Sequence, residues 1–428
     1  MEISTYSGEG ADPNKPIRFY DPYGNLVYSY TAVSYTHLDV YKRQIYKRIG
    51  EDMDIQMDKL GLSLEQTEIL YNLEYYKTLN DIERTNIPIT GEGIKELKTA
   101  WLQEWSKFIS DGFESFTQVS GAEMHWYSMD ELQQCIANQN PNEPWYRLIL
   151  LEAMMFEPYY PLGMEKDKKG NDVPSKRYKH LNNPINGFKK GEGDRFLNEQ
   201  FTGKYCEQGY VKRLRKSYDK RMNELNEVLK TVITSLSITA VIAIVTVATA
   251  GAFAGPIAVA LVGSNFAGLS GAALTSACLA YLGGGAIAAG GAGMLGGTIA
   301  IVGGGAALGI GVGAGVGGAV ASAGLLGKKN TIMQSAKLLT SVREIFLNDE
   351  HDVEFSNSVY EQYLQNIAEI EKGLIDLRLE KDVAKGKERK AIAETIKKAE
   401  ESVEAMKVAR KSMLKYNSSF AEGLQVRQ

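Results

Sequence analysis

The sequence has few of the side chains that build catalytic and metal-binding sites. Its 428 residues include four histidines and three cysteines. Cys135, Cys206 and Cys278 are odd in number and far apart, which argues against a disulfide framework and a C-x-x-C metal site and favours a reduced, cytosol-facing protein. The net charge of −4 argues against a nucleic-acid binder. No constellation predicts a catalytic residue, a metal or a cofactor, so we expect a protein that is not an enzyme.

Charge is absent from one long stretch of the chain. Residues 231–327, 97 in all, contain no Asp, Glu, Lys, Arg or His, and glycine is dense among them. The run 231–254 alone is long enough to cross a bilayer core of about 30 Å, and 257–282 is a second apolar run. In lipid, a single segment satisfies its own backbone only as a helix. The stretch predicts a membrane-embedded or membrane-inserting domain, with the lipid bilayer as its partner.

Small residues recur at every fourth position within this charge-free stretch. One row is Gly305, Gly309, Gly313 and Gly317, and a second is Gly293 and Gly297. Such rows form a smooth helix groove into which another backbone packs closely, as in a glycine zipper. We therefore expect a homo-oligomer formed through 231–327. Two alternatives stay open: a flexible glycine-rich linker, and a hydrophobic hairpin buried in a soluble protein, which is also a resting state for an inserting protein.

Basic residues stand on both sides of the charge-free stretch. The cations expected to face lipid headgroups are Lys212, Arg213, Arg215, Lys216, Lys328 and Lys329. Those before the stretch lie on a helix expected from about Gly209, and the alternative for them is a solvated helix face. By the positive-inside tendency both flanks are expected to be cytoplasmic, which requires an even number of crossings.

Two runs within the stretch carry a family resemblance. They are residues 266–275 (FAGLSGAALT) and 282–291 (LGGGAIAAGG). Together they resemble the small interferon-inducible glycine-rich membrane proteins and their bacterial relatives, over residues 266–325. The resemblance implies an organelle- or cell-membrane protein linked to cell death or defence. It supplies no catalytic residues.

Residues 33–44 (VSYTHLDVYKRQ) resemble a translated library adapter. One allowed choice of codons makes the second half of their coding segment the reverse complement of the first, as in two transposon mosaic ends joined head to head. We predict an artefact at 32–44 and no function for His37. Residues 1–31 are then a fragment of uncertain origin, from another gene or another part of the same gene, with a β-hairpin around Asp21–Gly24. The alternative is an ordinary Tyr-rich strand.

Residues 45–230 predict a soluble helical domain. Ser63 with Gln66 and Ser128 with Glu131 have capping-box spacing, and Pro144 suits a helix start. One helix face is predicted by the spacing of Ile94, Leu97, Trp101, Trp105 and Phe108. These two tryptophans, with Trp126 and Trp145, predict a core. Between 158 and 204, Pro, Gly and Lys predict a loop-rich basic excursion.

The last part, 328–428, shows two apolar rhythms on either side of Gly386. The residues are Tyr360, Tyr363, Ile367, Ile370, Leu374 and Leu377, then Ile392, Ile396, Ala399, Val403 and Met406. They predict an antiparallel coiled-coil hairpin in which Ile370 and Leu374 face Ile396 and Val403. The hairpin could pack on itself, on the N-terminal helices or on a sister chain, and in the last case residues 356–414 form a second oligomer interface. The acidic cluster around His351 predicts a solvated turn more than a metal site.

Together these patterns predict an all-α protein with a soluble helical domain, glycine-zipper transmembrane helices and a C-terminal antiparallel helical hairpin. We expect it to insert into a membrane, oligomerise, and perturb or permeabilise that membrane, as a defence effector or toxin would. Two alternatives remain. One is a static membrane scaffold or anchor, and the other is an enzyme with a site in 45–204 around Glu123, His125 or His180.

Overall fold

The computed structural model describes the helical parts of the chain that flank the charge-free stretch. The described residues are 16–20, 26–31, 59, 61–85, 92–117, 121–160, 172–230, 246–247, 328 and 331–425, with isolated positions between 160 and 172. The chain divides into two compact units, Met1–Gln56 and Met57–Gln428. Both glycine rows, Lys329 and residues 32–44 lie outside the described residues.

The first unit contains one antiparallel strand pair. Strand β1 (Pro16–Tyr20) pairs with β2 (Leu26–Thr31), and Pro16 lies opposite Thr31. The strands flank Asp21–Gly24, where Pro and Gly predict a turn.

The second unit opens with four helices whose starts follow local sequence signals. After the short strand β3 (Gly61–Leu62) come α1 (Leu64–Glu83), α2 (Glu92–Thr117), α3 (Met129–Asn138) and α4 (Pro144–Met155). Both predicted capping boxes form, at Ser63 before α1 and at Ser128 before α3. Pro144 occupies the first turn of α4, where its missing N–H costs no hydrogen bond.

The predicted tryptophan core is confirmed, but it is divided between two clusters. Trp101 and Trp105 of α2 are buried and stack with ring centroids 5.9 Å apart. Their indole N–H groups donate to the carbonyl and the hydroxyl of Tyr160, at 2.8 and 3.0 Å. Trp126 packs partly buried beside them, whereas Trp145 belongs to the larger cluster around α4.

The predicted loop between 158 and 204 is wrong in its second half. A small hairpin, β4 (Met164–Lys166) and β5 (Asp172–Pro174), is followed by helix α5 (Lys190–Phe201). Gly193 lies inside this helix. A Cβ there would come within 2.5 Å of the Phe188 ring and 2.7 Å of the Lys77 side chain, so this glycine permits close packing and does not mark a loop.

The remaining helices lie on both sides of the charge-free stretch. They are α6 (Tyr210–Val228), α7 (331–340, continuing into the π-helical Ser341–Asp349), α8 (Val353–Val383) and α9 (Gly386–Gln425). Helices α8 and α9 form the predicted antiparallel hairpin. Gly386 at its turn has a φ of 60°, which favours glycine. The four predicted facing residues are buried: Ile370, Leu374, Ile396 and Val403.

Residues 45–230 and 328–428, predicted as separate domains, share one hydrophobic core. Ile149 of α4, Leu214 of α6, Ile345 of α7 and Ile370 of α8 belong to the same buried cluster. Periodicity alone could not show this, because it marks an apolar face without naming its partner.

One fragment of the charge-free stretch is described, and it is extended. Strand β6 (Thr246–Val247) pairs parallel with β3. These two residues lie in a run rich in the β-branched Thr, Ile and Val that favour strands, and the helix predicted for 231–254 in lipid stays a prediction. Among the helices of the described residues, none combines the length and the apolarity needed to cross a bilayer.

Candidate functional site

The two ends of the charge-free stretch meet at one place. The Lys328 ammonium donates a hydrogen bond of 3.1 Å to the carbonyl of Leu229, a residue 99 positions earlier in the chain. Lys328 also lies 3.6 Å from a carboxylate oxygen of Glu404 on α9. Leu229 directly follows α6, and Lys328 shortly precedes α7. We call Leu229 and Lys328 the junction. These two residues flank the charge-free stretch in sequence.

Helix α7 holds the returning chain firmly inside the unit. It is buried over almost its whole length, and several of its polar side chains have partners within the core, whereas Gln334 Oε1 has none among the described residues. The Thr331 hydroxyl lies 3.0 Å from that of Ser402, and the Ser335 hydroxyl lies 2.9 Å from that of Tyr363. Withdrawing α7 would leave these buried groups unpaired, which is costly. We infer that α7 is a fixed anchor on one side of the junction.

A buried ion pair strengthens this anchor. Lys337 of α7 donates to Glu152 of α4, with side chains 1% and 4% exposed. Burial lowers the pKa of Lys337, whereas Glu152 raises it. Glu74 of α1 lies close to the pair, and burial followed by repulsion from Glu152 raises the pKa of Glu74 to about 8. Removing one member of a buried pair leaves an uncompensated charge, so α7 and α4 are strongly coupled.

Lys77 of α1 caps the C-terminal end of α4. Its ammonium donates to the carbonyls of Ala153, Met154 and Phe156 at 2.6, 3.0 and 2.7 Å. Burial lowers the pKa of Lys77 to about 7, but three acceptors need three N–H donors, so the bound form is the ammonium. A cation at a helix C-terminus also interacts favourably with the helix dipole.

Two of the predicted headgroup-facing cations are held within the unit. Arg213 lies 2.5 Å from Asp349 and 3.1 Å from Glu207. Arg215 donates to both carboxylate oxygens of Asp194, at 2.8 and 3.0 Å, and to the carbonyl of Met154 at 2.8 Å. The headgroup interpretation does not suit these two arginines, because carboxylates of the chain already neutralise them.

The lysines on the same helix are placed differently. Lys212, Lys216 and Lys220 of α6 are exposed, so they remain available to an anionic surface. Lys328 sits at the junction and is only partly exposed.

An acid–histidine pair occurs on the surface of α1, at one of the positions considered for an enzyme. His125 Nδ1 lies 2.8 Å from Glu68 Oε1, and the Tyr127 hydroxyl donates to Glu68 Oε2 at 2.7 Å. Asn72, one turn along α1, donates to the carbonyl of His125 and accepts from the Tyr127 N–H, both at 2.9 Å. Burial, then the hydrogen bond to Glu68, raises the pKa of Tyr127. These contacts fasten an extended segment to α1.

The other candidate histidines and acids stand apart from this pair. Glu123 and His180 are exposed. His351 is exposed in a turn and has a φ of 57°. The carboxylate of the nearby Asp349 accepts hydrogen bonds from Arg213 and from the Tyr210 hydroxyl. In the part of the chain that the structure describes, no group of three or more His, Cys, Asp or Glu could hold a metal ion.

Sequence reasoning missed the buried charges Glu74, Lys77, Glu152 and Lys337. A signal existed for two of them. Glu152 interrupts the apolar run of α4, and Lys337 interrupts the uncharged run of α7. A charge within such a run predicts a buried partner, because an isolated buried charge is too costly. The identity of the partner is a property of the tertiary fold.

Comparisons of this chain with protein-family models, with curated proteins and with solved structures gave no match.

Proposed function

We propose that this chain is a membrane-inserting, oligomerising protein that perturbs or permeabilises a membrane, as a defence effector or toxin does. The charge-free stretch 231–327 is the inserting part. The helical unit on either side remains on one face of the membrane, the cytoplasmic face by the positive-inside tendency.

The hydrogen bond between Lys328 and Leu229 is the observation that carries this proposal. Two chain ends held at one point on one side of a bilayer require an even number of crossings, which agrees with basic residues at both ends of the stretch. The arrangement also lets the stretch move as a unit while α6 and α7 stay packed.

The short pairing of β6 with β3 supports a docked form before insertion. It joins residues 246–247 to the start of the helical unit through a two-residue strand. So short a pairing has few hydrogen bonds to break, and we propose that insertion releases it.

An apolar stripe on α8 supports the proposed oligomer interface at 356–414. Ile375, Leu379 and Val383 follow a four-residue spacing on one face of the helix and are 56%, 64% and 77% exposed. A second copy of the chain would bury this stripe, as an unpartnered helix face of this kind favours association.

Leakage of a dye from sealed vesicles tests the permeabilising function. The full chain should release dye, and Val302→Asp should abolish release, because a carboxylate in the middle of a span costs about 3 kcal/mol. The matched control is Ile185→Asp, which adds the same charge at a position that is 84% exposed and lies outside the stretch and the proposed oligomer interface, and it should leave release intact. Membrane binding without leakage would favour the static scaffold.

The Glu68–His125 contact favours a second candidate, an enzyme with a site in 45–204. Hydrolysis of ester and phosphoester probes, compared between the full chain and His125→Gln, tests it. Turnover that the variant loses would support this candidate, and equal rates would leave the pair a structural contact.

A further inference from the structure

The guanidinium of Arg221, near the end of α6, is buried with an incomplete set of partners. Its side chain is 1% exposed, and Nη2 lies 3.1 Å from a carboxylate oxygen of Glu224. Nε and Nη1 have no hydrogen-bond partner among the described residues. A guanidinium carries five N–H donors, and buried donors without acceptors cost free energy. A further acceptor at this place would therefore stabilise the fold.

A second guanidinium packs on the same aromatic ring as the first. The guanidinium carbons of Arg221 and Arg343 are 4.8 and 4.5 Å from the centre of the Tyr416 ring. Burial lowers the pKa of Arg221, and so does the neighbouring Arg343 cation, whereas Glu224 raises it. The side chain of Arg343 is 34% exposed, so this end of the cluster is open to solvent.

The surrounding carboxylates leave Nε and Nη1 of Arg221 without an acceptor. Glu344, 3.5 Å from Arg343 Nε, already accepts from the Ser217 hydroxyl at 2.7 Å and from the Asn348 amide at 3.2 Å. It also lies 3.5 Å from Arg213. Glu224 is the carboxylate hydrogen-bonded to Arg221, and its other oxygen accepts from the Tyr416 hydroxyl at 3.2 Å.

We propose that Arg221 and Arg343, with Tyr416 beside them, bind a phosphate-type oxyanion, either free phosphate or the phosphate of an anionic lipid headgroup. The planar donors of a guanidinium match phosphate oxygens two at a time. Arg221 precedes Leu229 by eight residues, which places the site about 12 Å along the helix from the junction. The headgroup source rests on the proposed function, whereas the free-phosphate source does not.

Calorimetric titration of the full chain with inorganic phosphate tests the site. We expect saturable binding that Arg343→Gln weakens about tenfold, the loss of one charge-assisted contact. Arg343 is partly exposed, so this variant should fold, and circular dichroism checks that it does. The matched control is Arg378→Gln, which removes an exposed arginine paired with Glu400 and should bind like the wild type.

Flotation with vesicles distinguishes the two sources of the anion. For a headgroup, Arg343→Gln should bind phosphatidylglycerol-containing vesicles more weakly than Arg378→Gln does, and free phosphate should compete. For free phosphate, the two variants should float equally but differ in the titration. The proposal is overturned if the two variants are indistinguishable in both assays, in which case water satisfies Arg221. Phosphate binding in a chain that causes no leakage would contradict the proposed function and leave the site standing.

Discussion

Near neutral pH, Glu74 is protonated in the folded chain but has already lost its proton in the unfolded chain. Burial and the nearby Glu152 raise its pKa from 4.5 to about 8. Between these two values the folded state binds more protons than the unfolded state. The stabilisation that follows is fully present below pH 4.5 and is lost as the pH rises through about 8.

Glu74→Gln should remove this pH dependence, because glutamine keeps the shape of the protonated acid and cannot ionise. We expect the free energy of unfolding of the variant, relative to that of the wild type, to increase as the pH rises from 4.5 to 8. The gain should be about 1.4 kcal/mol for each unit of the pKa shift. Urea unfolding at a series of pH values measures it.

Glu394→Gln on α9 is the matched control for this series. Its hydrogen bond to Lys398, 2.7 Å away, lowers the pKa of Glu394, so the contribution of that residue is lost as the pH falls. The two variants should therefore change relative to the wild type in opposite directions and in different pH ranges. A flat difference for Glu74→Gln would show that Glu74 is not held protonated.

Single residues were predictable where the signal is local. Ser63, Ser128 and Pro144 fix helix starts through contacts within one turn, and sequence spacing records such contacts. Lys77 and Lys337 depend on partners 76 to 185 positions away, and no spacing within one helix encodes that distance.

At the scale of elements, the α8–α9 hairpin offers a comparison between two isoleucines of one helix. Ile370 is fully buried and Ile375 is 56% exposed. Ile370→Ala should lower the free energy of unfolding by about 3 kcal/mol, because it removes buried methyl groups and leaves a cavity. Ile375→Ala should cost well under about 1 kcal/mol. Equal losses in urea unfolding would show that Ile370 does not pack against α9.

The glycine row is an element-scale prediction within the charge-free stretch. Replacing both Gly309 and Gly313 by Leu keeps the segment apolar, so membrane partition should persist. The bulky side chains hold a partner helix away and remove close backbone contact, which in lipid is a main source of association. The double variant should therefore lose oligomers and leakage, measured by cross-linking and dye release. Full activity would contradict the glycine-zipper mechanism.

Among the elements, the two errors of sequence reasoning have physical causes. Helix α5 was missed because glycine was taken as a loop signal, whereas Gly193 serves close packing against Phe188. Strand β6 was not foreseen because length and apolarity do not separate a membrane helix from an extended segment. The hairpin was predicted correctly because its two periodic runs are long and a glycine lies between them.

At the scale of the whole molecule, the origin of the first unit is a prediction that sequencing can test. It spans Met1–Gln56 and contains residues 33–44, which resemble a translated adapter. Amplifying the locus from source DNA should give a gene without these codons. Their recovery from unamplified genomic DNA would contradict an artefact and make 1–56 a genuine domain.

We propose that one internal stretch inserts into the membrane and that the helical unit around it acts as the anchor. Residues 45–230 and 328–428 were expected as separate domains, because sequence shows where apolar faces lie but not that α4, α6, α7 and α8 bury them together. Their shared core brings Lys328 within hydrogen-bond distance of the Leu229 carbonyl.

Proteinase K digestion in the presence of vesicles tests the insertion of residues 231–327 most directly. The stretch should survive as protected fragments identified by mass spectrometry, while α1–α9 are digested from the outside. Protection should disappear when the vesicles are dissolved in detergent, and it should be absent when no vesicles are added. Complete digestion of 231–327 with vesicles present, or equal protection without them, would contradict membrane insertion.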